Sequence, residues 1–244
     1  MRTLTHVTII LAFILMSLTG IGANAADYTV TVNCSQDKAS TAFMQGFLHG
    51  FSSTDTLDST LIGTNLDPNF WRIGLDTWTQ YPKIEPFAPV VTVVLSDVYA
   101  AQKGGYSNAK PWLNWTEWED YCIDQVEYSI NNDMPVAYWD IWSEPDTAAM
   151  WTGTYAQLLE TFQRAYNAVK SVDANAKVVG PSKENINTTF SCDNTKGLGD
   201  FLLNLSQSPY NVRLDAVSWH ELGSLPSYIA TSVPAVRDFL ANPT

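Results

Sequence analysis

Six residues combine a polar or charged side chain with a position at or just after the end of a short apolar run: His49, Arg72, Asp97, Glu144, Glu184 and His220. Glu144 is the most informative. It lies in Tyr138-Trp139-Asp140-Ile141-Trp142-Ser143-Glu144-Pro145-Asp146, where an aromatic and β-branched run reaches a carboxylate and stops at a proline. Such runs form strands, and a proline, with no amide to donate, ends the ladder. A carboxylate at a strand mouth can give a proton to a leaving oxygen and take one from water, which is general acid/base work. The alternative is a loop Glu capping the next turn. Arg72, in Trp-Arg-Ile-Gly, is either a functional cation or a surface charge at a strand end. His49 and His220 either serve a ligand or are satisfied within the fold; Ser218 shares the strand face of His220. Asp97 either faces the site or caps the following turn, and Glu184 and Glu221 read first as solvated loop carboxylates.

Positioning these groups requires strands that end side by side. Short apolar runs alternate with longer amphipathic segments, the pattern of a parallel α/β fold. Strands are expected over 42–49, 68–74, 90–98, the Glu144 segment, 177–180 closed by Pro181, and 214–220, with Asp76 and Pro82 in the loop after the second. The run 90–98 (VVTVVLSDV) is dominated by β-branched and apolar residues, as for a strand buried on both faces. Helices are expected over 115–131, with Thr116 as cap and Glu119 three residues on, and over 155–172, 199–206 and 226–240. In a (β/α)8 TIM barrel the reacting groups sit at the C-terminal strand ends, where these six residues fall. The expected fold is therefore α/β, an incomplete barrel with about six of eight strand–helix units present.

The Glu144 segment resembles the Trp-Asn-Glu-Pro signature at the end of strand four in retaining glycosidases of the β/α-barrel superfamily. Ile141-Trp142-Ser143-Glu144-Pro145-Asp146, Val178-Val179-Gly180-Pro181 and Leu214-Asp215-Ala216-Val217-Ser218-Trp219-His220 together are similar to glycoside hydrolase family 39, the group of β-xylosidases and α-iduronidases. This resemblance implies hydrolysis of O-glycosidic bonds by a retaining two-carboxylate mechanism, with Glu144 as acid/base. It implies substrate contacts from His49, Arg72, Ser143 and His220, and neither a metal nor another cofactor. Arg72 looks like the strand-two arginine that orients the nucleophile carboxylate in that superfamily. Ser143 stands where the family has an Asn that holds the sugar 2-hydroxyl, so the donor geometry differs. Retention needs a second carboxylate about 5–5.5 Å from the first. Similar enzymes carry it as a Glu at the end of strand seven, so the expectation is a fragment lacking the nucleophile, with Glu184 and Glu221 as the only nearby substitutes. The alternative is a non-catalytic secreted carbohydrate-binding barrel derived from such an enzyme.

Composition narrows the class. Residues 1–25 read as a secretory signal peptide, with Arg2, an apolar stretch from Val7 to Ile21 and Ala23-Asn24-Ala25 as the cleavage site. Residues 26–244 are then one catalytic barrel domain, secreted and extracellular. A net charge of −12 offers no basic stripe for phosphates, which argues against nucleic acid. No later stretch is apolar enough to span a bilayer, so the expected partner is an oligo- or polysaccharide, with no membrane after signal cleavage. The nine Trp are core material first and sugar-stacking surfaces second. Sequons begin at Asn33, Asn114, Asn187 and Asn204, as in a glycoprotein. Three cysteines leave one unpaired, and a Cys122–Cys192 bridge is conceivable. Histidine and cysteine spacing suits no metal, and Gly-x-Ser-x-Gly does not occur.

Overall fold

A computed structural model of the chain describes residues 46–49, 60–88, 90–221 and 226–241. The leader, Asn33, Cys34 and residues 42–45 of the expected first strand lie outside them. Six strands run in parallel and in sequence order: β1 (Gly46–Leu48), β2 (Phe70–Ile73), β3 (Val90–Val94), β4 (Tyr138–Asp140), β5 (Val178–Lys183) and β6 (Ala216–Trp219). Between and after them lie α1 (Thr77–Ile84), α2 (Leu95–Gln102), α3 (Trp115–Asn131), α4 (Tyr155–Val172), α5 (Leu198–Ser206) and α6 (Pro226–Ala241). The sheet curls into an incomplete β/α barrel, as the alternation of strands and helices predicts.

The core lies between sheet and helices. Ile73, Val93, Trp139 and Val178 from the strands and Leu158, Phe162, Ala165 and Val169 from α4 belong to one hydrophobic core, all nearly or fully buried. The spacing of those α4 residues places them on one face of the helix. Thr154 and Gln157 close the start of α4 with a capping box. Five of the nine tryptophans, Trp71, Trp118, Trp139, Trp142 and Trp151, are core residues.

Four local expectations are corrected. Residues 77–84 form α1 instead of a loop around Pro82, because Thr77, Gln80, Tyr81 and Ile84 bury one helical face that outweighs the missing proline donor. The run 90–98 is strand only to Val94; α2 starts at Leu95, since Leu95, Ser96, Tyr99 and Ala100 bury on a helical repeat and tertiary packing overrides β propensity. Strand β5 continues through Pro181, with an irregularity between Pro181 and Lys183 where the missing amide is tolerated. The cap of α3 is Asn114, whose Oδ1 accepts from the Glu117 amide at 3.2 Å, and not Thr116. Cys122, buried in α3, and Cys192 are both free thiols, so the Cys122–Cys192 bridge is not formed. Among the described residues no helix is long and apolar enough to cross a membrane.

Candidate active site

Backbone hydrogen bonds tie the chain to its neighbour beyond the strand ends, one residue past β1 and β6 and four past β4, and thereby set the site residues. His49 N donates to Arg72 O at 2.7 Å, Glu144 N to Ser182 O at 2.9 Å and His220 N to Lys183 O at 2.6 Å. Three residues at this edge adopt left-handed backbone without being glycine: His49 at φ 64°, Glu144 at φ 52° and Ser182 at φ 50°. Each such conformation costs on the order of 1–3 kcal/mol, and clustering of this kind marks functional sites. The buried Ile141 and Trp142 hold the turn from below; Trp142 Nε1 donates to Met150 O at 3.1 Å.

His49, Asp97, Ser143, Glu144 and His220 line one cavity of about 400 Å³ at the C-terminal ends of the strands. Glu144 Oε1 lies 2.7 Å from His220 Nδ1, with both side chains mostly buried. A partner at that distance fixes the carboxyl rotamer. His220 Nε2 is buried and has no partner among the described residues. Other described walls are apolar, from Leu48, Leu75, Ala100 and Met150, and the aromatic contribution is Tyr106. Among the described residues no tryptophan lines this cavity.

Below the cavity a polar layer fills the barrel interior. Arg72 on β2 reaches past β3 to Asp140 on β4, with Nη2 at 2.8 Å and Nε at 2.9 Å from the same oxygen, Oδ2. Residues from alternate strands meet in one layer, as in β/α barrels generally. Ser182 Oγ donates to that Oδ2 at 2.6 Å and lies 2.7 Å from Ser218 Oγ on β6. Burial opposes the charge of Arg72, but Asp140 and Asp97 outweigh it and hold the guanidinium pKa above its usual value. Arg72 also donates from Nη2 to Ser143 Oγ at 3.3 Å, and the Ser143 amide donates to Ser96 Oγ at 2.9 Å. Ser143 therefore faces both the cavity and this layer.

Glu184 and Glu221 do not line the cavity. Glu184 is exposed. Glu221 accepts from Trp219 Nε1 at 3.2 Å and Ser232 Oγ at 2.8 Å. Asp97 does line it, because α2 begins directly at the end of β3. Burial pushes its carboxyl up, against the downward pull of the Tyr106 hydroxyl and Arg72. Sequence reading missed Tyr106, Ser96, Asp140 and Ser182, which carry no local signal because they matter only through partners distant in the chain. Among the described residues no group of three His, Cys, Asp or Glu side chains is arranged to hold a metal.

No protein-family model and no curated protein matches the chain. Solved structures share its fold: a protein designated N2152 from Neocallimastix frontalis at TM-score 0.58 and 19% identity, covering 74% of this chain and 44% of that one. A glucosidase from Croceicoccus marinus follows at TM-score 0.52 and 19% identity, covering 72% and 43%. A monomeric beta-xylosidase from Caulobacter crescentus CB15 matches at TM-score 0.55 and 14% identity, covering 80% and 48%. The chain thus spans less than half the length of these structures. At such identities the likeness concerns the backbone, and the fold it supports is the incomplete β/α barrel described above.

Proposed function

We propose that this chain is the acid/base-bearing part of a secreted retaining glycosidase of the family 39 type, acting on O-glycosidic bonds. The observation that carries the reading is Glu144 in its left-handed turn, hydrogen-bonded to His220 inside a cavity at the C-terminal strand ends. In the first step Glu144 gives its proton to the glycosidic oxygen as the bond to the anomeric carbon breaks and a carboxylate attacks that carbon. In the second, Glu144 takes a proton from the water that displaces the carboxylate. His220 holds the Glu144 carboxyl in place throughout. The attacking carboxylate stands about 5–5.5 Å from Glu144 in a retaining site. In this reading a seventh strand outside the 244 residues supplies it, in keeping with the chain's share of its structural neighbours.

The test is hydrolysis of aryl β-glycosides by the full-length protein. Glu144→Gln is expected to lower kcat/KM on poor leaving groups by about 10²–10⁴-fold, with a smaller loss on dinitrophenyl glycosides, which need no acid, and with rescue by azide. Turnover that survives Glu144→Gln unchanged on poor leaving groups sinks the reading. A second reading, a carbohydrate-binding barrel without turnover, is favoured by Ser143 in place of the family's Asn. Sugar binding with no hydrolysis by the full-length protein would support it.

A further inference from the structure

Asp97 is the one carboxylate besides Glu144 in the described cavity wall, and it is only 6% exposed. Its Oδ1 is occupied: it accepts from the Tyr106 hydroxyl and, at 3.5 Å, from Ser96 Oγ. Among the described residues no hydrogen bond ends on Oδ2. The nearest cationic candidate is His49 Nδ1 at 4.0 Å, too far for a direct bond, on a ring that is 56% exposed at the cavity rim. Gly74 leaves the room that Oδ2 takes up, since a Cβ there would lie 2.1 Å from it.

We infer that Asp97 Oδ2 and His49 Nδ1 together grip one hydroxyl of a sugar ring, which makes Asp97 a specificity-determining residue. The inference rests on the glycosidase reading above. A hydroxyl oxygen about 2.8 Å from both atoms sees them at roughly 90°, near its natural donor–acceptor angle. It donates to the carboxylate and accepts from the imidazole N–H. Leu48, Leu75 and Met150 beside the pair offer apolar surface to the C–H faces of the same ring. A buried carboxylate with one oxygen unserved gains most from such a donor, and it leaves an analogue without that hydroxyl with an unpaired group to bury. Burial already pushes the Asp97 carboxyl up, so the added donor relieves a charge that the fold leaves under-solvated.

The full chain, as wild type, Asp97→Asn, His49→Ala and Glu144→Gln, is titrated with xylobiose, cellobiose and mannobiose by ligand-observed NMR. The sugar that binds is then tested with each ring hydroxyl removed in turn. One deoxygenation is expected to weaken wild-type binding about tenfold, and that loss is expected to vanish in Asp97→Asn and His49→Ala but to persist in Glu144→Gln. His49 is exposed, so its variant gives a readout even where Asp97→Asn fails to melt as a folded protein. A deoxygenation penalty equal in wild type and both pair variants overturns the inference and leaves the glycosidase reading standing. No binding of any of the three disaccharides by the wild type overturns both.

Discussion

Replacing Arg72 by Met tests whether the polar layer under the cavity is held by one ion pair. The Arg72 and Asp140 side chains are 9% and 1% exposed, and both contacts of Arg72 with Asp140 converge on Oδ2, which otherwise has only Ser182 Oγ. Met preserves length and removes the charge, leaving a carboxylate in the barrel interior with a single hydroxyl donor. Breaking a buried pair from one side costs about 3–5 kcal/mol, because the remaining charge stays desolvated. For a chain of this size each kcal/mol lowers Tm by about 2–4 °C, so a drop of about 6–20 °C is expected by calorimetry at pH 7. The double variant Arg72→Met/Asp140→Leu removes both charges and fills the space, and it is expected to recover most of the loss. A single-variant drop below about 3 °C, or a double variant whose losses simply add, refutes the reasoning.

Two further outcomes follow from Asp97. Burial raises its folded-state pKa above the unfolded value near 3.9. Its contribution to stability is therefore fully present below about pH 4 and declines as pH rises through the folded pKa. Asp97→Asn, whose amide oxygen still accepts from Tyr106, is expected to melt higher than wild type at pH 7 and alike at pH 3.5; parallel Tm curves across that range would contradict this. Gly74→Ala would set a Cβ 2.1 Å from Asp97 Oδ2 and 2.5 Å from Asp97 Cβ, so β2 or α2 must shift. A destabilisation of about 1–3 kcal/mol is expected in urea unfolding, and restoration by Gly74→Ala/Asp97→Gly would tie it to that contact.

The parallel barrel was legible because its evidence is local and periodic. Apolar runs alternate with amphipathic segments, and α4 shows both its capping box and its buried stripe in the chain itself. Boundaries failed where two local signals conflicted. The β-branched stretch 90–94, followed by Leu95 and Val98, reads as one strand, yet a helix from Leu95 buries Leu95 and Tyr99 against α3, with Tyr121 donating to Leu95 O at 2.8 Å. Pro82 reads as a helix breaker, but Tyr81 and Ile84 find the core only if the helix forms around it.

The sequence by itself determined that Glu144 stands where a strand leaves the sheet, because aromatic and β-branched residues followed by Glu-Pro have few other conformations. It also put His49, Arg72 and His220 near strand ends. Only the tertiary structure decided which of these share a cavity and what each touches. His220 is 76 residues from Glu144, and its imidazole reaches the carboxyl because β4 and β6 flank β5 in a curled sheet. Arg72 is 68 residues from Asp140 and meets it only because alternate strands face one interior layer. Asp97, equally readable as a turn cap, lines the cavity because α2 starts without a loop. Distances between residues far apart in sequence depend on sheet curvature and strand order, and no local pattern of residue types encodes either.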